Sequence, residues 1–341
     1  MKKTVSLAVG SLFLIGVPFF VKNPYHIHLL IILGIYSILT MSFVMQLRVG
    51  LISMGIAAFW GMGAYASALL ASRLGFSFWF SLPLAGIITA VMAFGIGFVI
   101  VRPAGISFLI MTLALNFILV QILGTTYVEL FGGWGGITGI PRPFLSIPFL
   151  GFLEFVSKVS YYYLMLFLLL LTTLAFHSIY HSRIGRAFDA IGETHILSAS
   201  MGINVFKYRL WAFVIASFFT GLAGSFYAHY QCFLVPEAFD FWKSIYLQIY
   251  SILGGISYPI LGPIVGSATA VVVPELLRVT GLLEPIFYGI LILVVALFLP
   301  GGIVGFFQSS RHIEILTQTA KRTWALVVPS LRGRSNRSGD Y

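Results

Sequence analysis

Ten apolar runs, most of them close to the length of a bilayer-crossing helix, follow one another along the chain, with charges largely confined to the gaps between them. Cut at charges and at Pro/Gly punctuation, they fall at 4–21, 27–46, 51–72, 79–101, 105–124, 160–180, 210–230, 244–258, 260–278 and 285–304. A spanning helix uses about 20 apolar residues, because lipid offers no partner to an unpaired backbone N–H or C=O. The chain is 59% hydrophobic and only 9% charged, against about 25% charged in a soluble domain, so it cannot build a water-facing surface. The sequence predicts an all-α polytopic membrane protein of about ten transmembrane helices. The runs at 51–72 and 244–278 are the candidates for a broken or re-entrant helix: Gly50, Gly55, Gly61 and Gly63 interrupt the first, and Ser257, Tyr258 and Pro259 must turn within the second. Met1-Lys2-Lys3 and the run behind it read as a retained first helix, since no small-x-small cleavage site follows.

The net charge of +10 follows membrane topology rather than a nucleic-acid surface, because the basic residues sit at the ends of apolar runs. With a cytoplasmic N-terminus, fourteen of the 20 Lys and Arg residues fall inside, Arg48, Arg102, Arg183, Arg186, Lys207 and Arg209 among them. Lys22, Arg73, Arg142, Lys158, Lys243 and Arg278 fall outside. That asymmetry predicts an even number of spans with both termini in the cytoplasm. Glu129, Glu154, Glu237, Asp240, Glu275 and Glu284 lie outside in the same scheme, and no acid falls near mid-bilayer. A proton-coupled carrier would need one there.

The organisation expected is a transmembrane region over 1–308 and a basic cytoplasmic tail over 309–341, whose cations suit anionic lipid. An outer loop over 125–159 is rich in Gly, Pro and aromatics. The inner loop over 182–209 has helical composition with apolar residues among charges, the pattern of a short helix lying on the cytoplasmic face against a partner or the membrane surface.

No catalytic constellation is expected. Paired, mutually shifted carboxylates are lacking, and no lysine follows a glycine as a phosphate-binding loop requires, so any ATP must be bound by another chain. His177 and His181 have half of a zinc-site spacing, but both sit at the inner end of a span, where an amphipathic ring belongs; no metal site is expected. Cys232 stands alone and reads as packing. Glu275 and Arg278, three apart, suit a helix pair. The 35 glycines allow close helix approach. They also leave open a polar path, for which Gly50, Ser53, Gly55, Gly61, Gly63, Tyr65, Ser67 and Thr112 are the candidates, since small residues expose carbonyls and hydroxyls.

Several ordered motifs then resemble one family, the permease subunits of branched-chain amino-acid ABC importers, and within it the LivM-like member of the LivH/LivM pair. They are GLISMGIAAFWGMGAY over Gly50–Tyr65, ISFLIMTLA over Ile106–Ala114, GGWGGITGIPRP over Gly132–Pro143, and SRIGRAFDAIGETHILSASMGINVFKYRL over Ser182–Leu210. ILGGI at Ile252, GPIVG at Gly262, PELLR at Pro274 and LPGGIVG at Leu299 continue the series. The chain departs from the family pattern at Leu51 and Ile56, where polar residues are common.

The resemblance implies an importer permease fold with no cofactor in this chain. It implies a second, LivH-like permease, two cytoplasmic ATPases holding ATP and Mg, an external solute-binding protein and surrounding lipid, with no nucleic acid. The inner loop would carry the helix that docks on the ATPase, through Arg183, Gly185, Arg186, Asp189, Ile191, Glu193, Ala199, Met201, Gly202 and Asn204. The same charges also read as topology anchors. The implied cargo is a leucine-, isoleucine- or valine-type amino acid; an amide, urea or aromatic acid carried by the same kind of permease, or an autonomous channel or carrier, are the alternatives.

Overall fold

The computed structural model describes residues 23–103, 105–147, 151–154 and 157–277, with Pro18 and positions 289–290, 292–293, 299 and 301–306. The expected first helix at 4–21, apart from Pro18, most of the run at 285–304 and the tail at 309–341 lie outside the described residues.

The all-helical expectation holds. Helix α1 runs Pro24–Leu47, α2 Ile56–Ser72, α3 Phe78–Ile100, α4 Ile106–Thr125, and the single turn α5 Val128–Phe131. Then come α6 Lys158–His181, α7 Arg183–Glu193, α8 His195–Ser200, α9 Val205–Gln231, α10 Phe241–Gly254 and α11 Leu261–Leu277. Five of these, α1, α3, α4, α6 and α9, are long and apolar enough to cross a membrane. The expected outer loop contains α5, a 3-10 turn at Gly133–Gly135 and three short strands, β1 Ile137–Thr138, β2 Phe144–Ile147 and β3 Gly151–Glu154. β2 and β3 form an antiparallel hairpin. β1 pairs antiparallel with β4, Phe233–Leu234, placing Ile137 opposite Leu234.

Local chemistry sets where the helices begin. Asn23 Oδ1 accepts the Tyr25 N–H at 3.0 Å beside Pro24 at the first helical position, which satisfies one of the donors a helix start leaves orphaned. Asn204 Oδ1 accepts from Lys207 N at 3.0 Å to start α9. The α9 helix therefore starts five residues earlier than the apolar run, because its cap and first turn are polar. Ser182 Oγ accepts from Ile184 N at 3.1 Å and Gly185 N at 3.3 Å, turning the chain out of α6 into α7.

Helix α9 is the centre of the bundle, packed against α1, α2 and α3. An ideal Cβ built on Gly63 of α2 would lie 2.4 Å from the Cα and carbonyl oxygen of Gly221 of α9, so the two helices meet on bare backbone. On the far side, α11 packs on α1 and α10; Thr40 and Ser267 share a hydrogen bond at 2.7 Å, and the Tyr25 hydroxyl donates to the Glu275 carboxylate. Arg278, the expected partner of Glu275, lies outside the described residues. Helices α3 and α4 turn large apolar side chains outward, Phe80, Ile87, Val91 and Phe94 on α3 and Ile110, Phe117 and Ile118 on α4, as befits surfaces facing lipid or another membrane chain.

Both doubtful runs are broken. Residues 51–55 are irregular before α2 begins, and α10 and α11 are separated by a turn at residues 255–260.

Candidate functional site

One end of the bundle gathers Arg48, Arg102, Arg183, Arg186 and Arg209 and can be called its basic face. Helix α7 seats on this face by Gly185, Phe188 and Ile191, spaced three apart and buried. Gly185 lies against the carbonyls that end α6, where a Cβ would stand 2.4 Å from Tyr180 O. Arg48 Nη2 contacts Asp189 Oδ1 at 2.9 Å, and the Arg48 guanidinium stacks 4.6 Å from the centre of the Tyr180 ring. Arg209 Nε donates to Val49 O at 3.1 Å.

The residues proposed from sequence for partner docking thus divide. Arg183, Arg186, Glu193, Ala199, Met201, Gly202 and Asn204 are exposed on α7, α8 and the turn into α9. Gly185 and Ile191 point into the bundle and seat the helix rather than present it. The apolar residues offered outward are Ile184, Ile196, Leu197 and Met201, of which Ile196 at 72% and Met201 at 76% are the most exposed.

The second set, proposed for a path, surrounds the break before α2. Gly50 turns at positive φ beside Arg209. Ser53 and Gly55 are buried in the irregular segment, where Met54 N donates to Thr112 Oγ1 at 3.0 Å and Gly55 N to Ser53 Oγ at 3.2 Å. Gly61 abuts Phe239, and a Cβ there would sit 3.0 Å from its ring. Gly63 meets Gly221. Tyr65 is buried, and its hydroxyl finds no partner among the described residues. Ser67 lies higher, bonded to Ser225 Oγ at 2.7 Å and His229 Nε2 at 3.0 Å. The structure brings Ser53, Gly55 and Thr112 together and sets Gly63 and Ser67 apart in helix–helix contacts.

A second irregular segment, which the sequence reading did not single out, enters the bundle opposite the first. After β4, the chain runs inward through Val235–Phe239, and Asn116 Nδ2 donates to Phe239 O at 3.3 Å. Asn116 is the eleventh of the twenty residues of α4, so Phe239 lies level with the middle of a membrane-crossing helix. Helix α10 then starts in the interior, capped by Asp240 Oδ1 on Phe241 N at 2.6 Å. It descends with Ser244 Oγ accepting from Ala57 N at 3.0 Å and Gln248 Nε2 donating to Ser53 O at 3.3 Å. This corrects the topology drawn from sequence: Asp240 and Lys243, placed outside, start a helix at mid-depth of the bundle. A half-crossing leaves no distinctive hydropathy, so residues 231–243 read from sequence as an external loop between two apolar runs. Non-helical backbone at such depth occurs where protein covers it or it lines a cavity, and side-chain amides here cover the exposed carbonyls of Ser53 and Phe239.

His229 is also a residue the sequence reading passed over, and it is fully buried. Its Nδ1 lies 2.7 Å from the Pro141 carbonyl. A carbonyl only accepts, so the N–H is on Nδ1, and Nε2 accepts from Ser67 at 3.0 Å with Ser81 Oγ 3.3 Å away. Tyr161 donates to the His229 carbonyl at 3.0 Å. The arrangement ties the loop after β1 to α2, α3, α6 and α9. Its only signal in the sequence is a histidine inside an apolar run. Among the described residues, no three His, Cys, Asp or Glu side chains gather where a metal could bind.

Apolar crossing helices around two interior chain breaks define a multi-pass helical membrane protein of the permease kind. Residues 25–299 match the family described as the branched-chain amino acid transport system / permease component, and the chain belongs to that family. It is similar to the high-affinity branched-chain amino acid transport system permease protein LivM of Salmonella typhimurium, with 32% identity over 273 residues, 75% of this chain and 64% of the relative. The LivM of Escherichia coli is 31% identical over the same shares. The guanosine ABC transporter permease protein NupQ of Bacillus subtilis is 28% identical over 192 residues, 53% of this chain and 59% of the relative. The chain thus spans less than two thirds of the length of these relatives. No solved structure matches it significantly.

Proposed function

We propose that this protein is a transmembrane permease subunit of an ATP-driven importer of branched-chain amino acids. The observation that carries the reading is the family match along 25–299 together with the similarity to two LivM permeases. A zwitterion cannot cross hydrocarbon unshielded, so it needs a polar route opened from one side at a time. The break at residues 51–55 and the interior start of α10 supply backbone carbonyls, hydroxyls and amides inside the bundle, which is the material of such a route.

On this reading the basic face is cytoplasmic, in keeping with the positive-inside rule. Ile184, Ile196, Leu197 and Met201 then form an apolar patch rimmed by Arg183, Arg186 and Glu193, suited to docking a cytoplasmic ATPase that holds ATP and Mg. A second permease would close the route, and an external solute-binding protein would deliver the cargo. A second reading keeps this machine and changes the cargo to a nucleoside, and it draws on the similarity to the guanosine permease.

Gentle extraction of the tagged chain from its own membrane, followed by mass spectrometry, tests the reading. Two nucleotide-binding ATPases, a second permease and a solute-binding protein carrying a branched-chain amino acid are expected. Recovery of the chain alone or as a homo-oligomer would overturn the importer, and a nucleoside on the binding protein would overturn the cargo.

A further inference from the structure

A cavity of about 110 Å3 opens between α1, α2 and α10, lined by Tyr36, Trp60, Lys243, Tyr246, Leu247 and Tyr250. A single water needs roughly 10–15 Å3 of such space, so the cavity admits a ligand group of several heavy atoms. Its wall is aromatic and braced: Tyr36 meets Trp60 edge-on with ring centres 6.4 Å apart and Tyr250 at 5.8 Å, while Trp60 packs against Phe239 at 4.9 Å and Tyr227 at 4.8 Å. Tyr36 is the thirteenth of the 24 residues of α1, so the cavity lies at mid-depth.

Two of its groups call for a partner. Trp60 is 2% exposed and its indole N–H has no hydrogen-bond partner among the described residues. Lys243 has no carboxylate within 4.0 Å among them. An ammonium at mid-depth of an apolar bundle is costly and marks a substrate or ion pathway by default. A buried N–H left unpaired is costly too. An ammonium and an indole N–H together present donors only, so they recognise an anionic acceptor. The surrounding rings accept an apolar side chain, and their faces attract an ammonium.

We propose that this cavity is a transit subsite for a small apolar amino acid, in which Lys243 and the Trp60 N–H hold the carboxylate and the tyrosine rings hold the amino group and side chain. The inference rests on the amino-acid reading above and adds to it the residues that take the cargo. It also separates cargoes, since guanosine has no carboxylate for Lys243 to hold.

Uptake of leucine by the complete transporter in membrane vesicles tests it with Lys243→Met, Lys243→Arg and Trp60→Phe. The subsite acts after delivery, so Lys243→Met should lower maximal uptake by about tenfold, the loss carried by one charge-assisted hydrogen bond, without moving the half-saturating concentration that capture sets. Lys243→Arg should recover much of the rate, and Trp60→Phe, which keeps an aromatic ring at the position and removes the N–H, should lower it severalfold. Wild-type leucine uptake matched by Lys243→Met would overturn the subsite and leave the importer standing. If the wild type imports no amino acid, the functional reading fails, and the subsite is decided by melting of the purified complex. There leucine should stabilise the wild type while leucinol, which lacks the carboxylate, should not. Equal shifts from the two compounds would overturn it. Should Lys243→Met fail to assemble, Trp60→Phe and the leucinol comparison carry the test.

Discussion

Arg48 Nη2 lies 2.9 Å from Asp189 Oδ1, joining the end of α1, at the rim of the interior break, to the surface helix α7. Any push on α7 is therefore applied to the chain that leads into residues 51–55. Tyr180 backs the pair from below with its ring against the guanidinium, and a Cβ on Gly192 would stand 2.2 Å from Arg48 O.

The side chains of the pair are 24% and 42% exposed, so its contribution to stability should be small. Asp189→Asn is expected to change unfolding free energy by less than about 1 kcal/mol at neutral pH and to lower coupled uptake more than it lowers stability. Burial raises the Asp189 carboxyl above its ordinary 3.8 against the opposing pull of Arg48, and Glu193 adds to the rise. The folded state then holds this proton more tightly than the unfolded chain. Stability should fall as pH rises from 3.8 through the raised value, and level off above it. Asp189→Asn should lack that step, which melting curves of the two proteins across the acid range would resolve.

At the centre of the bundle, Gly63→Ala should destabilise by about 1–3 kcal/mol, and a larger residue by more, because the added carbon meets the backbone of Gly221 and no side chain can swing away. Gly135→Ala is the control. Nothing lies within 4 Å of its Cβ position, and it should melt with the wild type. Thermal melts in one detergent compare the three.

The long helices were legible because a bilayer crossing writes itself as hydropathy: the runs at 27–46, 79–101, 105–124 and 160–180 each match a helix to within a few residues. Gly50 and Gly55 marked the first break correctly. The second break was hidden, since Val235–Asp240 carries the loop composition of an external turn and nothing local says that it dips to the level of Asn116. The site was half legible for the same reason. Ser53, Gly55 and Thr112 stand out as small or polar residues in apolar runs, but Gln248, which donates to Ser53 O, and Ser244, which accepts from Ala57 N, come from a helix distant in sequence, as does Phe239, whose carbonyl Asn116 holds, from the segment before it, and only tertiary contact joins them. The division of α7 into a buried and an exposed face depends on which stripe meets Arg48 and Tyr180, which the motif alone does not state.

His229→Ala removes the acceptor of Ser67 and the donor to Pro141 together. Leaving buried polar groups unpaired costs about 1–3 kcal/mol, and the loop after β1 loses its tie to four helices. Hydrogen exchange at Ile140 and Arg142 should accelerate more than exchange in α9 itself. Ser81→Ala, at the longer 3.3 Å contact, should leave those amides near wild-type rates. Uniform acceleration across the bundle would instead mark His229 as a general core residue.

The turn from α8 into α9 depends on Gly202, whose φ is +83° and whose Cβ position has nothing within 4 Å. The penalty of substitution is therefore conformational rather than steric. A side chain in this left-handed region costs roughly 1–2 kcal/mol, least for Asn, whose short polar group tolerates it, and β-branched residues fit it worst. Gly202 N donates to Ala199 O at 3.0 Å and Ile203 N to Ser198 O at 3.1 Å, so relieving the strain means opening the turn that presents Met201. Gly202→Val should insert and assemble normally but hydrolyse ATP without matching uptake, while Gly202→Asn should stay close to wild type in both. Because the site is open, a wild-type ratio of uptake to hydrolysis in Gly202→Val would mean that the presentation of Met201 does not matter, and the docking face would have to be sought on α7 rather than at the turn after α8.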